Sequence, residues 1–402
     1  MQGFGKDIYR PDAKAGRFLG VLALCGISYG LYRGIQDNYL AEIVGITAFE
    51  RGIVEFFREM PGLLVVFILA GMYRFTESRI FKIGVAVMAA GLIGLLAAGT
   101  GKITVVLGMV LFSFGEHIIM PVRTTLSLAL AFRERSGAAL GVTSALGHLG
   151  NIAGYAAVTA LFFLFSRIGF SRKDVLPFRI IFGIGAALMI GGVLTVLALQ
   201  ETSLKGPRRR FYFARKFHKY YMLEVFYGAR KQIFLTFAPY VLILQYRADT
   251  SVIAFLLALC AGFGLIFSPI MGRLIDRLGF KRIMVADTLL LVIVCLLYGF
   301  AHRLFPFSVA FIVVCVNYVL DSIISLASMA SNVYVQALAA DPEEITATLS
   351  TGVSVNHGIS IFIALMGGWI WKVTGLETLF TLSAVLGLLN SLYAASIKLE
   401  KS

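Results

Sequence analysis

The chain has 402 residues, of which 58% are hydrophobic and only 14% are charged. Soluble globular domains carry about 25% charged residues, so this composition excludes a soluble domain and indicates a membrane protein. The formal net charge of +14 would suit a nucleic-acid-binding protein, but the basic residues are grouped in alternate connections between apolar segments. Their distribution therefore indicates membrane topology and no nucleic-acid partner.

Twelve apolar segments of about 20 residues or more follow one another along the chain. Each is long enough to cross a hydrocarbon layer about 30 Å thick. They lack the alternation of barrel strands, so their backbone hydrogen bonds must be made within helices. We therefore predict an all-α polytopic membrane protein. The expected spans are 18–44, 50–73, 79–99, 103–130, 137–166, 178–200, 219–246, 250–272, 280–300, 304–338, 345–371 and 375–397.

The amino-terminal stretch MQGFGKDIYRPDAKAGR is polar and basic and leads directly into the first span. It has no recognisable small-residue cleavage site, so we expect no removable signal peptide. The four cysteines lie inside apolar spans without metal-ligand spacing, which predicts small core residues. We expect no cofactor and no bound metal.

Lysine and arginine are concentrated in the amino terminus, in every second connection and in the carboxyl terminus. By the positive-inside rule, this pattern predicts that both termini face the cytoplasm, in a multi-pass protein of the cytoplasmic (inner) membrane. The longest polar interruption is basic and lies between the sixth and seventh spans. We predict an amino-terminal six-helix bundle over 1–200, a cytoplasmic basic linker over 201–221 and a carboxyl-terminal bundle over 222–402.

The two halves contain similar short segments in the same order. YRFTESRIFKI, which begins at Tyr73, aligns with GRLIDRLGFKR, which begins at Gly272. Matching positions in the spans are occupied by similar residues. These pairs are Arg33 with Arg230, Glu116 with Asp321, and His148 with His357. Ordered matches of this kind indicate a parallel repeat, which is common in transporters.

Twelve spans in two repeats, a long basic central connection and the segment G-x-L-x-D-R-x-G-x-K-R together resemble the major facilitator superfamily. The resemblance implies two six-helix bundles related by a pseudo-twofold axis. It also implies a secondary transporter whose spans 1, 4, 7 and 10 line a central cavity. We see no GxxxxGK[ST], DDxxD, HExxH or GxSxG signature, so we expect no enzyme.

The segment GRLIDRLGFKR is interpreted as a latch that holds one conformational state. Gly272 and Gly279 would allow a tight turn, and Asp276 would accept hydrogen bonds from the amides of a helix N-terminus. The residues assigned to the latch are Gly272, Asp276, Arg277, Gly279, Lys281 and Arg282, with Arg74 and Glu77 in the first repeat. The alternative is a basic loop that only sets the topology.

Ionisable side chains near the middle of the spans are the candidate functional residues, because each costs about 2.5–3.5 kcal/mol to insert. Glu116 and Asp321 are the candidates for proton coupling, since burial favours their protonated form. The expected substrate-binding residues are Arg33, Asp37, Glu116, His117, His148, Asn151, Arg230, Asp321 and His357. The second span adds Arg51, Glu55, Arg58 and Glu59 on one helical face.

Arg33 and Arg230 are expected to form an anion clamp, since guanidinium groups hold phosphate or carboxylate through two parallel hydrogen bonds. VFYGARKQIFLTFAP, which contains Arg230, is similar to the seventh helix of organophosphate/phosphate antiporters, and His148 resembles their histidine in the fifth helix. The alternative is structural: Arg33 would pair with Asp37, and Arg230 with an acid on another helix.

The sequence thus predicts a monomeric secondary transporter for a small anionic or zwitterionic organic solute. It would work by alternating access, coupled to protons or by exchange, with the lipid bilayer as its other partner. A first alternative is a transporter of divalent metals or cationic solutes that uses Glu116, Asp321, His148 and His357. A second is a transporter-like membrane sensor that binds without turnover.

Overall fold

A computed structural model describes residues 8–10, 13–72, 74–202, 212–340 and 342–397. Apart from an isolated bridge between Tyr9 and Ala131, the regular structure of these residues is helical, which confirms the predicted all-α class. The α-helices are α1 Ala13–Asn38, α2 Ala48–Gly71, α3 Glu77–Ala97, α4 Lys102–Leu130, α5 Ser136–Arg167, α6 Val175–Leu197, α7 His218–Leu244, α8 Thr250–Leu278, α9 Phe280–Leu304, α10 Phe307–Ile324, α11 Met329–Leu338, α12 Pro342–Thr374 and α13 Leu376–Ala395.

Ten segments of the described chain are long and apolar enough to cross a membrane. One of them, Phe307–Leu338, comprises α10, α11 and the 3-10 turn Ser325–Ser328 between them. The helices α2 and α7 have similar lengths but contain more charged residues, and with them the number of spans reaches the predicted twelve. The sequence did not predict the break between α10 and α11, because it lies within one continuous apolar segment.

The chain forms two compact units, which we call the first and the second unit. The first comprises Met1–Gly45, Leu64–Arg208 and Asp249–Ala258, and the second comprises Ile46–Leu63, Arg209–Ala248 and Leu259–Ser402. The first half of α2 therefore belongs to the second unit, where it contacts α7 through Glu55 and Gln232 and α12 near Gly52 and Gly368. The division into bundles 1–200 and 222–402 stays a prediction, and residues 203–211 of the expected linker lie outside the described residues.

Helices α1 and α5 of the first unit pack closely through glycines. A Cβ atom added at Gly154 would lie 2.5 Å from the carbonyl oxygen of Ile27, and one added at Gly150 would lie 2.8 Å from Gly26. Small residues let membrane helices approach until their backbones touch. The glycines thus set the distance between these two helices.

The second unit has an aromatic core between α7, α9 and α13. The ring of Tyr298 stacks on Phe380 with 4.8 Å between centroids, and Phe234 meets both rings edge-on. The buried Tyr298 hydroxyl donates to the carbonyl oxygen of Ala238 over 2.7 Å. This core keeps α7, which contains Arg230, in place against α9 and α13.

The signature segment contains a sharper turn than expected. Gly272 lies inside α8, which continues to Leu278, so the prediction of a turn at Gly272 is wrong. The chain turns at Gly279, whose φ of +83° is a conformation that favours glycine. Lys281 donates to the carbonyl oxygen of Ile397 over 2.8 Å.

The other latch residues differ in exposure. Asp276, Arg277 and Arg282 are exposed at the junction of α8 and α9. In the first repeat, Arg74 is exposed, while Glu77 is buried at the start of α3. The latch itself stays a prediction.

Candidate functional site

Arg230 lies buried on α7 of the second unit and forms an ion pair with Asp321 of α10. Its Nη1 atom is 3.0 Å from Asp321 Oδ1, and its Nη2 atom donates to Ser325 Oγ over 3.4 Å. The guanidinium carbon lies 5.3 Å from the ring centroid of Tyr227, a cation–π contact. Arg230 thus pairs with an acid on another helix, which is Asp321, and the anion clamp with Arg33 stays a prediction.

A second buried network begins on the first half of α2. Arg51 Nη1 lies 2.7 Å from Glu55 Oε2, and Arg58 Nη2 lies 2.6 Å from Glu55 Oε1. Arg58 also pairs with Glu59, and His357 of α12 lies 2.8 Å from Glu59 through its Nδ1 atom. These five residues, which we call the α2 network, carry alternating charges and no net charge while His357 is neutral.

The helix α7 takes part in both networks. Gln232 Nε2 donates to Glu55 Oε1 over 3.1 Å and to Thr236 Oγ1 over 2.8 Å. Gln232 lies two positions after Arg230, and two positions correspond to about 200° around a helix. The two side chains therefore leave opposite faces of α7, and Gln232 faces the α2 network while Arg230 faces α10.

The candidates in the first unit lie on α1, α4 and α5. Arg33 Nη1 donates to Gln36 Oε1 over 2.8 Å, and Asp37 is buried one turn after Arg33. On α4, Glu116 is partly buried, and His117 Nδ1 lies 2.8 Å from the carbonyl oxygen of Ser113. These contacts are local to one helix.

Two further candidates of the first unit lie on α5. His148 is exposed on that helix. The Asn151 amide, oriented with its nitrogen toward α1, donates to the carbonyl oxygens of Gly26 (3.0 Å) and Gly147 (3.2 Å). Asn151 thus links α1 and α5, and this packing role accounts for an amide at that position. Its role in substrate binding stays a prediction.

Several polar partners were not predicted from the sequence. Ser325, Gln232 and Thr236 are uncharged. The sequence prediction depended on ionisable residues near the middle of the spans, so it did not include them. The partnership of Glu59 with His357 joins residues almost 300 positions apart. One available signal was the spacing of Gln232 and Thr236, since polar residues at i and i+4 on a membrane helix share a face.

The connection between α6 and α7 is bound to the protein at both of its described ends. In the first unit, Thr76 and Arg79 bind Glu201, with 2.7 Å between Arg79 Nε and Glu201 Oε1, and lower the pKa of that carboxyl. In the second unit, Lys216 and Tyr212 bind Glu344 and lower its pKa to about 2. The carboxyl groups of Glu201 and Glu344 both lie outside the candidate membrane spans.

Residues 220–401 match the family model described as Major Facilitator Superfamily. The match covers the carboxyl-terminal part of the chain, slightly under half of its length. The apolar helices described above indicate a multi-pass membrane protein. Its resemblance to organophosphate/phosphate antiporters stays a prediction.

Three of the similar structures are transporters described with different solutes, all with 13–14% identity to this chain. A mutant of the nucleoside transporter NupG aligns over 94% of this chain and 98% of its own, with 14% identity and a TM-score of 0.73. A D-xylose-proton symporter aligns over 95% and 96%, with 14% identity and a TM-score of 0.72. A POT family transporter in complex with a thioalcohol conjugated peptide aligns over 94% of both chains, with 13% identity and a TM-score of 0.73.

No curated protein matches this chain by sequence. At 13–14% identity the solved structures show the shared fold alone, and their substrates differ from one another. The substrate of this protein must therefore be argued from its own buried charges.

Proposed function

We propose that this protein, whose carboxyl-terminal part matches the Major Facilitator Superfamily, is a secondary transporter for a small anionic or zwitterionic organic solute. The observation that carries the proposal is the buried Arg230, which already binds a carboxylate, that of Asp321, over 3.0 Å. A guanidinium group presents its donors in a planar fork that matches carboxylate and phosphate. An anionic group of the solute would take the place of Asp321 and Ser325 on this fork.

The same ion pair supplies a means of coupling. A proton on Asp321 would remove its negative charge and leave the positive charge of Arg230 to attract the solute. Loss of that proton after the solute leaves would restore the pair. Exchange is the second mode, in which two anionic solutes compete for Arg230 without a proton. Glu116, the counterpart of Asp321 in the sequence repeat, is proposed to take part in proton movement in the first unit.

The topology and the remaining site residues are part of the same proposal. Both termini are proposed to face the cytoplasm, in the cytoplasmic membrane, and the protein is proposed to act as a monomer. Arg33 is proposed to contribute to anion binding because it is the counterpart of Arg230 in the repeat. Its Nη1 atom donates to the side-chain oxygen of Gln36.

A thermal-shift screen of the purified full-length protein tests the proposed class of solute. The compounds would be carboxylates, amino acids, phosphorylated sugars, nucleosides and divalent metal ions. A ligand that binds only the folded state raises the melting temperature. We expect stabilisation by anionic or zwitterionic compounds. Stabilisation by divalent metals or organic cations alone would contradict the proposal.

Transport of metals or cationic solutes remains the second candidate function. A carboxylate beside an imidazole is a ligand pair that transition metals accept, and Glu59 and His357 lie 2.8 Å apart in the second unit. Against it, Arg58 also binds Glu59, and Asp321 is engaged by Arg230. Both positive charges oppose a bound cation at these carboxylates, so we favour the anionic solute.

A further inference from the structure

A small cavity in the second unit is lined mainly by oxygen-bearing side chains that the proposed solute site does not use. It lies between α7, α9, α11 and α13, next to the 3-10 turn that separates α10 from α11. The polar residues that line it are Glu224, Tyr227, Asp287, Ser328, Ser331 and Asn390. A polar cavity between membrane helices calls for a polar or charged occupant.

Two oxygens of this cavity have no hydrogen-bond partner among the described residues. They are Asp287 Oδ1 and Asn390 Oδ1, and both are buried. Both are acceptors, and a buried acceptor without a partner costs free energy. The group that satisfies them must therefore carry positive charge or donate hydrogen bonds.

Glu224 is held in place at the same cavity. Ser331 Oγ donates to its Oε1 atom over 3.2 Å, and Asn356 Nδ2 donates to its Oε2 atom over 3.1 Å. Each carboxylate oxygen has two lone pairs, so one remains on each oxygen after these contacts. The two neighbours fix the orientation of Glu224 without neutralising its charge.

The turn between α10 and α11 borders the cavity. The 3-10 turn Ser325–Ser328 joins α10 to α11 within one membrane span, and Ser328 lines the cavity. The Ser328 carbonyl oxygen accepts from Ser331 Oγ over 2.9 Å. The cavity thus combines two carboxylates and a side-chain amide beside a tightened turn of the span.

These oxygens lie at similar depths in their helices. Glu224 is six residues after the start of α7, Asp287 is seven residues after the start of α9, and Asn390 is five residues before the end of α13. At 1.5 Å per residue these positions are about 8–10 Å from the helix ends. All three ends are those that the charge pattern places on the cytoplasmic side.

The local charges favour a monovalent cation over a divalent one. Arg230 acts through space on Asp287, and Lys231 acts on Glu224. Both basic groups lie beside the Tyr227 ring, at 5.3 and 5.8 Å from its centroid. These two positive charges repel a divalent ion more strongly than a monovalent one.

We propose that this cavity binds one Na⁺ ion through the side-chain oxygens of Glu224, Asp287 and Asn390. Carboxylate, amide and carbonyl oxygens are the ligands that hard cations prefer. The cavity belongs to the second unit alone, so the proposal does not depend on the identity of the transported solute.

Thermal unfolding of the purified full-length protein in NaCl and in choline chloride, at equal ionic strength, tests the proposal. We expect Na⁺ to raise the melting temperature in a saturable way, by about 1–3 °C when its concentration is tenfold above its Kd. Choline carries its charge behind methyl groups and cannot be coordinated by oxygen ligands as Na⁺ is, so it should have no effect. Equal melting temperatures in the two salts would overturn the proposal.

Variants locate the ion. Asp287→Asn should abolish the Na⁺-dependent rise, while the matched control Asp174→Asn, at the start of α6, should keep it. If Asp287→Asn does not fold, equilibrium binding of radiolabelled Na⁺ to the wild type and to Asn390→Ala tests the site instead. We expect one Na⁺ per wild-type chain and at least about tenfold weaker binding in Asn390→Ala. Unchanged Na⁺ binding in the folded variants, or no competable binding to the wild type, would overturn the site.

Discussion

Arg230 of α7 and Asp321 of α10 form a buried ion pair with 3.0 Å between Nη1 and Oδ1. The pair joins two helices and places a fixed positive charge next to a carboxylate inside the membrane spans of the second unit. Removing one partner of such a pair leaves the other charge buried and uncompensated. Transport and stability must therefore be measured together for every variant of either residue.

Asp321→Asn should separate the two proposed modes of coupling. Asparagine cannot take up or release a proton, so uptake driven by a pH gradient should fall at least about tenfold if Asp321 carries the proton. Exchange of solute in the absence of a gradient should persist, because Arg230 remains available. The measurement compares both activities in the same proteoliposomes. Gradient-driven uptake equal to that of the wild type would exclude Asp321 as the proton carrier.

Glu55→Gln should strongly destabilise the second unit. Glu55 is 1% exposed and lies between Arg51 and Arg58, so its loss leaves two guanidinium groups without their shared carboxylate. We expect the free energy of unfolding to fall by about 3–5 kcal/mol. The exposed Glu134→Gln is the control and should change it by about 0.5 kcal/mol or less. Equal unfolding curves for the two variants would show that the α2 network does not stabilise the fold.

Gly154→Ala should separate α1 from α5. The new Cβ would lie 2.5 Å from the carbonyl oxygen of Ile27 and 2.6 Å from the amide nitrogen of Leu31, and neither backbone atom can move alone. We expect a loss of about 1–3 kcal/mol in the free energy of unfolding. Gly147→Ala, on the same helix, has nothing within 4 Å of the added Cβ and should be neutral or slightly stabilising. A smaller loss at Gly154 than at Gly147 would contradict the close packing.

Glu344→Gln should reveal a stability difference that depends on pH. Lys216 and Tyr212 lower the pKa of Glu344 from its usual value of 4.5 to about 2. A lowered folded-state pKa stabilises the protein above the usual pKa, and this contribution is lost as the pH falls toward 2. The melting temperature of the wild type should exceed that of the variant at pH 7, and the difference should shrink below about pH 5. A difference that is constant from pH 7 to pH 4 would contradict the assignment.

The sequence predicts the helical class and the number of spans well, because an apolar segment of membrane length has few other structures available. It also identifies Arg230 and Asp321 as candidate functional residues, because ionisable side chains are rare in membrane spans. It does not predict that Gln232 binds Glu55, because an uncharged polar residue in a span does not by itself indicate a buried contact. The contact between Glu59 and His357 depends on which helices pack together, and this information is absent from local sequence patterns.

The position of the turn in the signature segment shows a similar limit. Gly272 and Gly279 are the same residue type, so the sequence allows a turn at either. Of the two, only Gly279 has a positive φ, and Gly272 lies inside α8. Local propensity cannot distinguish them, because the end of α8 depends on how α9 packs after the turn. The 3-10 turn at Ser325–Ser328 could not be predicted either, because it lies within a continuous apolar segment.

Counterflow of a radiolabelled anionic or zwitterionic ligand in proteoliposomes tests the central claim most directly. Wild-type vesicles preloaded with unlabelled ligand should accumulate label transiently above equilibrium. Arg230→Lys should abolish this accumulation without changing the melting temperature by more than a few degrees, because an ammonium group cannot reproduce the planar fork. The exposed Arg215→Lys should behave like the wild type. Binding without accumulation in wild-type vesicles would indicate a sensor, and full counterflow in Arg230→Lys would contradict the proposed anion site.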